Sequence, residues 1–257
     1  MTVPTALHLV TVATHWCAGL HRMLHSADAC GLAATVRGMG DSRWGDGFGL
    51  KLEVLRAAAD ALVAQERAGD VILFVDAFDV IFVPGTTAPG LLRAFAGMHA
   101  DVLLAGERLC HPDPERAQEH RRILGPACGW SADLPRPFVN SGVILGRAGS
   151  VARVMAEGPR FGLAEDDQRW WTTVVLRNAP HAACGAGTRV AVDTEGSLIQ
   201  CLAEVDPSDL SLEPDRRVAV SGRRPAVLHF NSIGSEAWQA AVFADLFPTA
   251  GGSASPD

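Results

Sequence analysis

A chain of 257 residues with 48% apolar and 20% charged side chains has the balance of a soluble globular protein with a substantial core. Its net charge of −7, with no Lys/Arg cluster, argues against a nucleic-acid footprint, so an anionic substrate would need local positive charge, most simply a metal ion. No apolar segment approaches the length of a membrane span, residues 1–14 carry no basic leader, and the six cysteines form no C-x-x-C pair. A reduced, cytoplasmic protein without a zinc motif is the expectation, and no linker divides the chain.

Residues 7–13 read as a first buried strand, running into a helix over 15–30 where Leu20, Met23 and Leu24 recur at helical spacing. A second strand is expected at 33–36, followed by a Gly-rich loop over 38–49 whose glycines permit close backbone approach to a ligand. The helix expected at 50–66 places Leu52, Leu55, Ala59, Leu62 and Val63 on one face. Next comes the run 69–83, apolar and of strand length but broken by Asp76 and Asp79. So apolar a run predicts a strand buried on both faces of a mostly parallel sheet. A helix near 89–98 and a strand at 102–105 complete an alternation of strand and helix, the signature of an open α/β sheet. Residues 111–136, rich in Pro, Gly and charge, read as an ordered excursion outside the core. A strand entry at 138–146, helices at 151–156 and 166–176, a last strand at 226–230 and a closing helix at 235–246 follow. One domain over 1–250 is expected, with 251–257 as a disordered tail.

Open α/β sheets bind ligands beyond the carboxyl ends of their strands. Asp76 and Asp79 fall there if 71–75 is the strand. They are either turn caps, which Asp suits, or ligands of a divalent cation, the usual partner of costly buried carboxylates. Leu228-His229-Phe230-Asn231-Ser232 leaves a second apolar run. Two carboxylates plus an imidazole suit a borderline-hard ion such as Mn²⁺, with positions open for phosphate oxygens and water. Alone, His229 reads as a structural histidine. In Glu165-Asp166-Asp167-Gln168 the acidic residues suit a first helical turn, which the helix dipole favours. Lys51 is the only lysine among 22 Lys plus Arg, either a surface residue at a helix start or a compact ammonium placed with purpose.

Taken in order, several short pieces resemble one family. They are residues 9–14, the Gly-x-Gly loop with Trp44, Lys51, and Phe74-Val75-Asp76-Ala77-Phe78-Asp79-Val80. They continue with Ala105-Gly106-Glu107, Cys110-x-Pro112, Phe138-Val139-Asn140-Ser141-Gly142, Asp166-Asp167-Gln168, Ile199-Gln200 and Leu228-His229-Phe230-Asn231. Their order from residue 7 to about 247 resembles the glycosyltransferase domain of the procollagen lysyl hydroxylase/glycosyltransferase family. The resemblance implies a GT-A-type (Rossmann-like) fold, an open mixed α/β sheet flanked by helices, that binds a UDP-sugar through Mn²⁺. It implies Asp76, Asp79 and His229 as metal ligands and Phe78 against the uracil ring, where an aromatic face can stack. It also implies Val12 and Thr14 lining the nucleotide site, with Trp44, Lys51 and Asn140 near the donor. Asp166 and Asp167 would face sugar and acceptor, and Asn231 the diphosphate or sugar. Residues 1–150 would form the nucleotide-sugar half and 151–247 the acceptor half.

The departures are local. The family's glycine and lysine after His-x-Asn are Ser232 and Ser235 here, its tryptophan after the cysteine is His111, and the Trp44 loop is shorter. The acidic run before Gln168 is reduced to Glu165-Asp166-Asp167, and no hydroxylase portion is present, so lysine hydroxylation is not expected. The expectation is a Mn²⁺-dependent transferase moving galactose or glucose from a UDP-sugar to a hydroxyl of a peptide, glycan or small molecule. Asp166 or Asp167 would act as base or as the carboxylate stabilising an oxocarbenium-like centre. The alternatives are a nucleotide-sugar-binding protein without catalysis, a metal-dependent phosphohydrolase, and a non-catalytic interaction domain.

Overall fold

Two strand–helix–strand units open the chain in the computed structural model, which describes residues 6–128, 134–183, 187–232 and 234–248. Strand β1 (Leu7–Val12) leads through helix α1 (Ala18–Ala29) to β2 (Ala34–Arg37), and helix α2 (Gly49–Ala64) leads on to β3 (Val71–Asp76). All three strands are parallel, with β1 in the middle. The unbroken apolar run of β3 follows from cover on both faces. Ile72 and Phe74 pack with Leu50, Leu52 and Leu55 of α2, while Val71, Leu73 and Val75 pack with Leu20 and Met23 of α1. Each such fully buried side chain contributes about 1.5–3 kcal/mol relative to exposure.

Beyond β3 the sheet is mixed rather than mostly parallel. The chain continues through β4 (Val80–Phe82), α3 (Ala88–Gly97), β5 (Val102–Glu107), α4 (Ala117–Cys128) and β6 (Phe138–Arg147). Then come α5 (Ala148–Glu157), α6 (Asp167–Ala183), β7 (Val190–Asp193) and β8 (Ile199–Cys201). The hairpin β9 (Leu210–Leu212) and β10 (Val218–Val220), strand β11 (Val227–His229) and helix α7 (Glu236–Leu246) complete the order. The nine-stranded sheet runs β2-β1-β3-β6-β5-β8-β11-β4, with β7 pairing on β5. Strand β6 lies antiparallel between β3 and β5, and β4 lies antiparallel to β11. The expected open mixed sheet flanked by helices is thus the architecture found.

This order forces the sheet to curl. Strands β3 and β4 are consecutive in the chain but five strand spacings apart in the sheet. A flat sheet would separate them by about 24 Å, whereas the four steps from Asp76 to Val80 can span at most about 14 Å. The far edge, β11 and β4, must therefore return toward the carboxyl end of β3, and the run 69–83 is two strands joined at a corner.

Several elements differ from expectation. Helix α4 occupies part of the stretch read as an ordered excursion with no element assigned, because its few apolar positions sit among His, Arg and Glu and leave a weak helical signal. Helix α6 runs past 176 to Ala183. Strands β7 to β10 were not expected, since three or four residues are too short to show a period. Strand β7 is anchored by Asp193, whose carboxylate accepts from the backbone amides of Ser197, Leu198 and Ile199 at 2.8–3.1 Å. The tail 251–257 lies outside the described residues.

One buried group leaves its mark on stability. His120 of α4 is fully buried against the Phe138 ring, and among the described residues neither ring nitrogen has a partner. Burial, with a smaller push from Arg116, lowers its pKa to about 4. The unfolded chain therefore binds more protons between pH 6.5 and 4, and stability present above 6.5 is lost as pH falls through that window. The expected loss is about 3 kcal/mol. Urea unfolding should show His120→Leu more stable than wild type at pH 4.5, with the gap narrowing toward pH 7; parallel pH profiles for the two proteins would contradict this.

Candidate active site

The carboxyl end of β3 delivers Asp76, and the corner into β4 delivers Asp79. Because β4 pairs with β11 in the register Val80↔His229, the strand ends place Asp79 beside His229. The backbone amide of Phe230 fixes this by donating to the Asp79 carbonyl at 2.8 Å. His229 Nε2 lies 3.2 Å from Asp79 Oδ2 and 3.7 Å from Asp76 Oδ2. One ligand atom from each of Asp76, Asp79 and His229 can be chosen so that all three lie within 4.8 Å of one another. Gly142 of β6 makes room for the ring: a Cβ there would lie 2.0 Å from His229 Cε1. Two carboxylate oxygens and one imidazole nitrogen form a donor set that fits a borderline-hard divalent cation.

Lys51 enters from the first turn of α2 and is buried. Its Nζ lies 2.6 Å from Asp76 Oδ1 and 2.8 Å from Asp167 Oδ2, the latter at the start of α6. Burial alone would lower its pKa, but Asp167 and Asp76 outweigh burial and hold the ammonium charged. Burial raises the Asp76 carboxyl, against the opposing charge of Lys51. For Asp79 burial acts in the same direction but the neighbouring His229 outweighs it, so its pKa is lowered. Burial would depress His229, yet Asp79 holds it well above the usual histidine value. In this state the imidazolium and the ammonium offset part of the negative charge of Asp76, Asp79 and Asp167, and a cation at Nε2 would take the place of a proton.

A second polar centre lies on the same cavity wall. Glu107 ends β5, and its carboxylate accepts from Asn231 Nδ2 at 2.8 Å, from Asn140 Nδ2 at 3.3 Å and from Gln168 Nε2. Burial pushes its pKa up to about 7 despite these donors. Asn231 Oδ1 in turn accepts from the amides of Leu202 and Ala203, so this residue clasps two strand ends to Glu107.

The structure brings Lys51, Asp76, Asp79, Asn140, Asp166, Asp167, His229 and Asn231 onto one cavity of 590 Å³. Asp166 is also a helix start, its Oδ1 accepting from the Arg169 amide at 2.9 Å. Phe78 faces a neighbouring cavity of 320 Å³ that shares Asp79 and Ser232, with the His15 ring 5.1 Å from its own. Val12, Thr14 and Trp44 do not line the larger cavity. Val12 is buried in the α2 core, Thr14 sits after β1 beside His15, and Trp44 lies on a short turn with Phe48 edge-on at 5.7 Å. Glu107, Gln168 and Gly142 were quoted within motifs but given no site role. The signal for Glu107 was available, since it terminates an apolar strand as Asp76 does.

Lys51 is the charge that makes this site foldable, because removing one partner of a buried ionic cluster leaves the others uncompensated. Lys51→Met should lower the unfolding free energy by about 3 kcal/mol, read from urea midpoints at pH 7; an unchanged midpoint would show that the cluster is solvated rather than paired.

Comparison with known proteins bears on what this arrangement belongs to. The family model for the PLOD GT domain matches residues 4–237. The multifunctional procollagen lysine hydroxylase and glycosyltransferase LH3 of Rattus norvegicus is 26% identical over 246 residues, covering 90% of this chain and 31% of that protein. The corresponding multifunctional protein of Caenorhabditis elegans is 30% identical over 179 residues, covering 66% of this chain and 22% of that protein. The chain thus spans about a third or less of the length of these relatives. A solved glycosyltransferase involved in glycosylation of the major capsid of PBCV-1 aligns with a TM-score of 0.45 and 10% identity, covering 93% of this chain and 98% of that one. By the extent of the family match, the chain belongs to the glycosyltransferase-domain family of the procollagen lysine hydroxylases.

Proposed function

We propose that the chain is a Mn²⁺-dependent glycosyltransferase that moves a hexose, galactose or glucose, from a UDP-sugar to an acceptor hydroxyl. The observation that carries this reading is the convergence of Asp76, Asp79 and His229, with ligand atoms within 4.8 Å, on the wall of a 590 Å³ cavity. Family membership supports glycosyl transfer, and the donor set supports a divalent ion that neutralises charge on a diphosphate leaving group when bound. In this reading Asp76, Asp79 and His229 Nε2 hold that ion. Lys51 fixes Asp167 and Asp76 in place, its Nζ bridging their oxygens.

Asp166 and Asp167 face the same cavity, where a carboxylate can take the acceptor's hydroxyl proton or stabilise positive charge at the anomeric carbon. Glu107 orients Asn140, Gln168 and Asn231 through its three accepted hydrogen bonds. The nucleotide is assigned to the adjoining cavity, with its base against Phe78. Acceptor classes in this proposal are a peptide, a glycan or a small molecule bearing a hydroxyl. Ser232 and Ser235 line the adjoining cavity where the family motif has glycine and lysine, which favours a second reading, nucleotide-sugar binding without turnover.

UDP release from UDP-galactose and UDP-glucose separates the readings. Wild type with Mn²⁺ should release UDP, while EDTA or Asp79→Ala should reduce the rate by 100-fold or more, taken as about 3 kcal/mol of lost transition-state stabilisation. Full activity in EDTA would overturn the metal assignment, and tight UDP binding without release would select the second reading.

A further inference from the structure

Only one of the two ring nitrogens of His229 faces the carboxylates. Nε2 lies 3.2 Å from Asp79 and 3.7 Å from Asp76. Nδ1 lies 3.7 Å from Sγ of Cys201, within reach of a hydrogen bond to sulfur. A neutral imidazole offers a lone pair at Nε2 only when its proton sits on Nδ1, and a buried N–H needs an acceptor. Among the described residues the Cys201 sulfur is the partner that Nδ1 has.

The fold holds this contact in place. Strands β8 and β11 are parallel, and Cys201 stands opposite His229 in their register. Gly142 closes on the ring, where a Cβ would lie 2.7 Å from Nδ1. Cys201 is 1% exposed and His229 2%, so water does not compete for the ring nitrogen. Cysteine would otherwise be read as a small core residue at this position.

We propose that Cys201 is a positioning residue whose sulfur accepts the Nδ1–H of His229 when a divalent cation takes the place of the proton at Nε2. This rests on the assignment of Asp76, Asp79 and His229 as metal ligands. Metal-bound histidines usually give their second N–H to a carboxylate or carbonyl, and losing that partner costs 10–100-fold in metal affinity. Sulfur is the weaker acceptor, so it orients the ring while leaving the imidazole less electron-rich than a carboxylate would.

The test is a Mn²⁺ titration of the full chain, followed by the electron paramagnetic resonance of free Mn²⁺. Cys201→Ser retains an acceptor and should bind within about three-fold of wild type, whereas Cys201→Ala should bind about 10–100-fold more weakly. With Mg²⁺ in place of Mn²⁺, NMR should show a slowly exchanging, hydrogen-bonded His229 Nδ1–H in wild type and a faster-exchanging one in Cys201→Ala. Wild-type affinity in Cys201→Ala would overturn the proposal, as would equal weakening of both variants or failure of both to fold, either of which makes the thiol a packing group. Asp79→Ala serves as the control. Weak binding there with unchanged Cys201→Ala sinks this proposal alone, whereas unchanged binding by Asp79→Ala removes the metal site itself.

Discussion

Negative charge gathered at the end of a fully apolar strand is the constraint on which the rest of this structure depends. Asp76, Asp79 and Asp167 converge where β3 leaves the core, and carboxylates in such a place are costly unless something positive meets them. Lys51 supplies one charge by bridging Asp76 and Asp167, and His229 supplies another beside Asp79. The arrangement is therefore held by cations on two separate elements, the start of α2 and the end of β11. It is also poised for exchange, because the proton on His229 occupies the position that a metal ion would compete for.

Bringing those elements together is the work of the curled sheet. Strand β4 follows β3 immediately in sequence but pairs at the far edge, antiparallel to β11. That pairing turns a short Asp-x-x-Asp corner into the junction of the sheet's middle and its edge. Small residues permit the closeness that results. Gly142 lets β6 lie against the His229 ring, and Gly19 lets α1 lie against the Phe78 carbonyl, where a Cβ would stand 2.1 Å away. The polar layer around Glu107 then ties β5, β6, α6 and the segment after β11 into one wall.

Much of this was legible in the sequence, for identifiable reasons. Asp76 and Asp79 stood out because apolar strands seldom end in two carboxylates, and Lys51 because the chain has no other lysine. The βαβ start was legible from the change of period between strand and helix. The antiparallel placement of β6 was not, since a strand buried along nearly its whole length carries no mark of direction. Strand β11 was legible as an apolar run, but β8 holds three residues, too few for a pattern, so the pairing that sets Cys201 beside His229 emerges only with the sheet. The nucleotide-side residues divide similarly. Phe78 lines a cavity beside Asp79, whereas Trp44 packs against Phe48 on a separate turn.

Calorimetric titration of UDP, with and without Mn²⁺, tests the central claim most directly. If Asp76, Asp79 and His229 hold an ion that meets a diphosphate, UDP must bind much more tightly in the presence of Mn²⁺, and Mn²⁺ must bind more tightly by the same factor in the presence of UDP. UDP binding that is indifferent to Mn²⁺, or absent under both conditions, would contradict the account.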